Sequence, residues 1–250
     1  PTDHFNTVLY SGTGGSQSIT TGLQPDFSWV KNRGRAAEHS LVDIVRGDSQ
    51  VLNSDNASAE MDKASAGAQS ISSTSFTVSG IDDWWNRSGD TYASFNWKAG
   101  GTAVSDSSGD ITVIRSTNTN NGISIISYTG NQDPGGTGET IAHGLSQAPE
   151  IAFFKNRDGA NDWLVGCTPV GWTQYASLNQ TDAFSASSSP FRDTAPTSSY
   201  ITLGGSHSLN KSANDYICYA FHSVEGYSKI GTYVGNNSTD GTFVYLGFTP

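Results

Sequence analysis

The chain has 250 residues and a formal charge of −10, from 13 basic and 23 acidic side chains. Charged residues are only 14% of the chain and aromatics 11%, while Gly, Ser and Thr together exceed a third. Disordered chains are rich in charge and poor in aromatics, and helical bundles need Ala, Leu, Glu and Lys in quantity, so neither class fits. Small polar, aromatic and β-branched residues suit strands and turns, which predicts an all-β protein. No apolar run approaches the ~20 residues of a membrane-spanning helix, so no membrane insertion is expected. An acidic chain repels phosphate backbones, so no nucleic-acid partner is expected either. The opening Pro1-Thr2-Asp3-His4 has neither the basic nor the apolar region of a signal peptide, and no initiator Met. A processed product or a segment of a longer polypeptide is therefore expected.

In chain order, the first elements predicted are strands that recur. Tyr10-Ser11-Gly12 is followed by Ile19-Thr20-Thr21-Gly22-Leu23-Gln24-Pro25-Asp26-Phe27-Ser28-Trp29-Val30-Lys31-Asn32-Arg33. Tyr128-Thr129-Gly130 is followed by Ile141-Ala142-His143-Gly144-Leu145 and then Pro149-Glu150-Ile151-Ala152-Phe153-Phe154-Lys155-Asn156-Arg157. The two Lys-Asn-Arg triplets lie 124 residues apart. A second anchor, Asp90-Thr91-Tyr92 against Asp215-Tyr216, lies 125 apart with one residue of slip. Two anchors at nearly one offset predict an internal repeat, with Trp29 falling on Phe153 and Phe95 near Tyr219 or Phe221.

Within each unit the strands follow turn signals. Pro25 and Pro149 set the start of apolar strands, residues 123–128 alternate apolar and polar, and residues 92–98 and 216–222 are aromatic-rich. One weak helix is predicted over residues 57–64. The pattern predicts two tandem, similar β-sandwich-like units. The first spans 1–101, the second 123–231, with a polar linker over 102–122. Residues 232–250 carry Tyr233, Phe243, Tyr245 and Phe248 in the pattern of the opening strands, and so begin a third unit or complete an interface as swapped strands.

Few residues point to chemistry. The five histidines never stand at a metal-ligand spacing, and Asp106 and Asp110 bracket a turn too poor in acids for a calcium loop, so neither metal nor cofactor is expected. No Gly-x-Ser-x-Gly elbow occurs, and no catalytic residue is assigned. Gly12-Thr13-Gly14-Gly15 and Gly135-Gly136-Thr137-Gly138 fail the phosphate-loop pattern and read as hairpin tips. Arg46-Gly47-Asp48 reads as a turn. The Lys-Asn-Arg triplets read as strand ends whose basic side chains cap carbonyls or pair with acids, and Cys167 and Cys218 as buried free thiols. The best ligand-binding candidate is Asp83, Trp84, Trp85, Asn86 and Arg87, where indoles beside polar groups could stack on sugar rings, weighed against a tryptophan committed to the core. The second unit has no tryptophan at the matching place, near residues 205–210, and that asymmetry favours a surface feature.

The run from Thr21 to Arg33 resembles a repeated domain of uncharacterised function common in structural and tail-fibre-like proteins of marine bacteriophages. Asp43-Ile44-Val45-Arg46-Gly47, Gly89-Asp90-Thr91-Tyr92, Trp97-Lys98-Ala99-Gly100-Gly101 and the stretch from His222 to Tyr233 extend the resemblance over nearly the whole chain. It implies a virion protein and no catalytic residues. The resulting expectation is a non-enzymatic, exterior virion component, part of a tail fibre or appendage that adheres to the host surface. Its expected partners are further copies of itself, a trimer being one candidate, other virion proteins and a host surface glycan. The alternatives are a capsid decoration protein or a carbohydrate-binding adhesin module of a secreted bacterial protein.

Overall fold

Turn residues divide this chain into short strands, and almost nothing else is regular. The computed structural model describes residues 3–67, 69–132 and 138–249. The first half carries β1 (Phe5–Ser11), β2 (Gln17–Thr20), β3 (Phe27–Asn32), β4 (Ser40–Asp43), β5 (Gly47–Leu52), β6 (Met61–Asp62), β7 (Ser70–Ile71), β8 (Ser75–Val78) and β9 (Thr91–Trp97). The second carries β10 (Val104–Asp106), β11 (Val113–Asn118), β12 (Ile123–Thr129), β13 (Glu139–Ala142), β14 (Ile151–Asn156), β15 (Leu164–Cys167), β16 (Gln174–Ser177), β17 (Ser185–Ala186), β18 (Tyr200–Leu203) and β19 (Asp215–Phe221). The protein is all-β, with antiparallel sheets in a sandwich-like arrangement.

A six-stranded sheet runs β1-β9-β3-β4-β5-β6, and a three-stranded sheet β2-β8-β7 covers one of its faces. An eight-stranded sheet runs β10-β11-β12-β19-β14-β15-β16-β17, and the pair β13-β18 covers one of its faces. Side chains alternate across a strand, so a sheet covered on both sides needs apolar residues at both parities. Strand β19 shows this: Tyr216, Cys218 and Ala220 join the core under β13-β18, while Ile217 and Tyr219 join a central core with Phe27, Leu41 and Ile125. The central core thus lies between the two large sheets, giving four layers.

The order β1-β9-β3-β4-β5-β6 and the order β12-β19-β14-β15-β16-β17 match strand for strand. So does the register: Trp29 faces Phe95 and Asn32 faces Tyr92, as Phe153 faces Tyr219 and Asn156 faces Tyr216. Tyr92 therefore stands where Tyr216 stands, and the offset there is 124, equal to that of the lysines. The sequence alignment of Asp90 with Asp215 is corrected by one residue, because Asp215 stands in the place of Thr91.

Two further expectations change. Residues 57–64 form no helix; Met61 pairs with Val51, and a single 3-10 turn (Ala64–Ala66) follows. The stretch 102–122, expected as a polar linker, carries β10 and β11, and β11 pairs with β12 along six residues. Its polar composition fits an added edge hairpin with one wet face. Residues 232–249 form no strand: Tyr233, Val234, Phe243 and Tyr245 stand in solvent. Just before this arm, Tyr227 packs on His4 with ring centroids 5.5 Å apart.

Candidate interaction site

The Asp82–Arg87 segment is a turn held from both sides. The Asp82 carbonyl accepts the N–H of Asn86 at 3.0 Å, and its carboxylate accepts the N–H of Trp84 at 2.9 Å. Of the five predicted binding residues, two are committed inward. Trp85 is fully buried among Ile19, Val30, Phe76 and Tyr92. Asn86 is buried too, accepting from Thr13 N–H at 3.1 Å and Gln17 Nε2 at 2.7 Å while donating to the Gly15 and Gly80 carbonyls. It pins the Gly12–Gly15 hairpin tip; residues 135–137 of the matching tip lie outside the described residues.

Asp83, Trp84 and Arg87 reach the surface. Arg87 donates to Asp83 at 2.9 Å. Trp84 donates its Nε1 to Glu38 at 2.8 Å, and Lys63 Nζ lies 4.2 Å from its ring centroid. One indole face is thereby engaged in a cation–π contact, and the ring also meets Trp85 edge to face with centroids 6.0 Å apart, so only part of it is open to a ligand. A shallow groove lined by Ala37, Glu38, Ile81, Asp82, Asp83 and Trp84 adjoins it. The groove offers carboxylates and one aromatic face, which suits hydroxyl-rich or cationic contacts.

The counterpart of this turn corrects the argument from asymmetry. Tyr92 Oη accepts Arg87 N–H at 2.9 Å and donates to the Asp83 carbonyl at 3.1 Å. Tyr216 Oη accepts Lys211 N–H at 2.8 Å and donates to the His207 carbonyl at 2.8 Å. Tyr10 donates to the Trp85 carbonyl at 2.8 Å, and Tyr128 to the Leu209 carbonyl at 2.7 Å. Tyr10 stacks on Tyr92 at 5.1 Å, and Tyr128 on Tyr216 at 5.2 Å. Gly12 and Gly130 are required here, because a Cβ would collide with the carbonyls of Arg87 and Lys211. Trp85 thus matches Leu209, which is equally buried. The core position keeps an apolar residue, not an aromatic one, while the surface positions differ: Asp83 matches His207, Trp84 matches Ser208 and Arg87 matches Lys211.

Both Lys-Asn-Arg triplets are strand ends that satisfy backbone. Asn32 accepts the N–H groups of Gly34 and Arg35 and donates to the Asp83 carbonyl; Asn156 accepts those of Asp158 and Gly159 and donates to the His207 carbonyl. Lys31 caps Ala37 O at 2.7 Å, and buried Lys155 caps Asn156 O at 2.7 Å and Gly159 O at 2.9 Å. Burial lowers the Lys155 pKa to about 8, against the pull of Asp162 and Glu60. Cys167 and Cys218 are buried free thiols.

The strongest polar constellation was missed in the sequence. Arg46 donates Nε to Asp43 at 2.5 Å, Nη1 to Glu60 at 2.8 Å and Nη2 to Tyr219 Oη at 3.1 Å. Tyr219 donates to Asp43 at 2.7 Å, and Arg157 clasps Glu60 at 2.6 Å. Burial opposes the charge on Arg46, but Asp43, Tyr219 and Glu60 outweigh it and hold the guanidinium ionised. Arg46 is thus unavailable to a receptor; it closes the turn over residues 44–46, and half-buried Gly47 and Asp48 open β5 rather than complete a turn. The signal was Asp43 three residues before Arg46 in a chain so poor in charge. Beside this network, Phe27, Trp29, Trp97, Phe153, Trp163 and Phe221 line an apolar cleft of about 250 Å³ between the two large sheets.

Neither the comparison with curated proteins nor that with solved structures gave a match. A family model described as a domain of unknown function (DUF7483) matches residues 1–250. Its match takes in the whole tyrosine–asparagine framework of both halves and the ion network between them, and the chain belongs to that family.

Proposed function

We propose that the chain is a non-catalytic module built by tandem duplication, a component of an exterior bacteriophage appendage that adheres to the host surface. The units are 1–101 and 123–231, and the hairpin between them belongs to the second sheet. The supporting observation is that the two halves repeat one framework of tyrosine, asparagine and glycine contacts while their surfaces diverge, as at Trp84 and Ser208. Such a scaffold presents variable surface on constant architecture. The resemblance of the Thr21–Arg33 run and its companions to phage fibre-like proteins supplies the setting. Adhesion through Trp84, Asp83 and Arg87 would be weak singly and gain from many copies. Gold-labelled antibody against this chain, applied to particles from the encoding genome, is expected to mark a tail appendage. Label on the capsid shell moves the protein to a decoration role, and unlabelled particles reject the virion reading.

A further inference from the structure

The equivalent edges of the two large sheets are treated differently. In the second sheet β12 is an inner strand, flanked by β19 and by β11. In the first sheet the matching strand, β1, pairs with β9 alone, and among the described residues no strand lies on its outer side. The Lys98 N–H bonds the His4 carbonyl and the Gly12 N–H bonds the Asp90 carbonyl. Even-numbered residues of β1 therefore address β9, and the N–H and C=O groups of Phe5, Thr7 and Leu9 point outward. Their counterparts Ile123, Ile125 and Ser127 face Asn118, Ser116 and Ile114 of β11. An open edge of this kind is a template for another strand. Apolar surface adjoins it: Leu9 is 63% exposed and Phe95 37%.

The same molecule carries an unpaired strand former. Thr242-Phe243-Val244-Tyr245-Leu246 is β-branched and aromatic throughout its centre, yet it pairs with no strand among the described residues. Phe243 is 86% exposed and Tyr245 78%. The arm is already shaped as an open hairpin, with Thr242 Oγ1 donating to the Val234 carbonyl at 2.7 Å and Asn236 to the Asp240 carbonyl at 2.8 Å. That form resembles the β10-β11 hairpin that covers β12.

We propose that the arm of one copy adds as an antiparallel strand to the outer edge of β1 in a second copy, as β11 adds to β12. Backbone bonds to Phe5, Thr7 and Leu9 give the attachment, and alternate arm side chains cover Leu9 and Phe95. The arm leaves the body beside Tyr227 and His4, next to the root of β1, so two copies can exchange arms reciprocally about a two-fold axis. The inference rests on this geometry and not on the virion reading.

The test uses full-length chains. Wild type is expected to associate in sedimentation as concentration rises. Leu9→Lys, which alters only the exposed edge, and Val244→Pro, which spoils only the arm, are each expected to be monomeric and folded by circular dichroism. Thr7→Pro is a second edge variant. Mixing the edge variant with the arm variant is expected to restore association, since one supplies an arm and the other an edge. In a paired experiment, Thr7→Cys and Val244→Cys chains are expected to form a disulfide between chains. A wild type monomeric at its highest soluble concentration overturns the proposal. So does association that survives both substitutions, or a disulfide between positions 7 and 244 that closes within single chains of the doubly substituted protein.

Discussion

The first half of the molecule has tryptophan where the second has leucine or serine, and an open edge where the second has a hairpin. Yet both halves keep two stacked tyrosines, a buried asparagine at the end of the third strand and a glycine beneath a carbonyl. The difference separates two kinds of constraint. Positions that satisfy buried backbone groups are retained, because an unpaired donor or acceptor costs about 1–3 kcal/mol. Positions that only fill volume accept a different apolar residue if neighbours repack. Polar satisfaction, more than aromatic identity, carries this architecture.

The largest expected effect comes from the contact between the halves. Replacing Arg46 with leucine leaves the buried Asp43 carboxylate without a counter-charge, while Glu60 keeps Arg157, and removing one partner of such a pair typically costs about 3–5 kcal/mol. Denaturant unfolding is expected to register that loss in full, and a loss below about 1 kcal/mol would mean the network is wetter than its geometry. Next, Tyr92→Phe and Tyr216→Phe delete hydroxyls with the same two backbone partners. Each is expected to cost about 1–3 kcal/mol, and the two losses should agree within about 0.5 kcal/mol. Unequal losses would break the equivalence of the halves.

A third comparison is made by pH. His143 is buried, with Leu145 N–H donating to Nδ1 at 3.1 Å and Nε2 bonded to the Thr197 carbonyl at 3.2 Å. Burial foremost, with Arg115 and His222 adding, lowers its pKa from 6.5, although the Thr197 contact opposes this. The unfolded chain therefore takes up this proton first, so stability falls as pH drops below about 6.5. Thr21 holds the matching place in the first half and does not titrate. His143→Thr is expected to flatten that part of the acid limb in thermal melts at successive pH values. Trp84→Ser, which gives the first half the residue of the second, is expected to cost about 1 kcal/mol, since its polar partners Glu38 and Lys63 are surface groups and its half-buried ring gives up only part of its packing on Trp85. Adsorption of the variant to host cells then reports on Trp84 alone, and unchanged adsorption removes it from the binding surface.

Much of the framework was legible in the sequence. Pro25 and Pro149 marked the starts of β3 and β14, alternation marked β12, and the spacing of Lys31 and Lys155 gave the offset the registers share. What escaped notice has physical reasons. Strands β10 and β11 lie in a polar stretch because one flanks an edge and neither is buried on both faces. The helical propensity of residues 57–64 yields to the pairing of Met61 with Val51, since propensity is worth tenths of a kcal/mol per residue. Trp84 and Trp85 are neighbours of one type, and nothing local says which turns inward; the Tyr92 core decides it. The Arg46 network joins Asp43 to Tyr219, residues 176 positions apart, beyond any local pattern.

The contact of His4 with Tyr227 has a mechanical consequence. The points where the chain enters and leaves its folded body lie side by side, so a polypeptide continuing past both would carry this body as a pendant rather than as a link. Tension along such a polypeptide would cross from one root to the other over a few ångströms. It would load the first bonds of β1 and leave the long axis of the sheets slack. The exposed turns around Trp84 would then keep a constant geometry, whatever force that polypeptide bears.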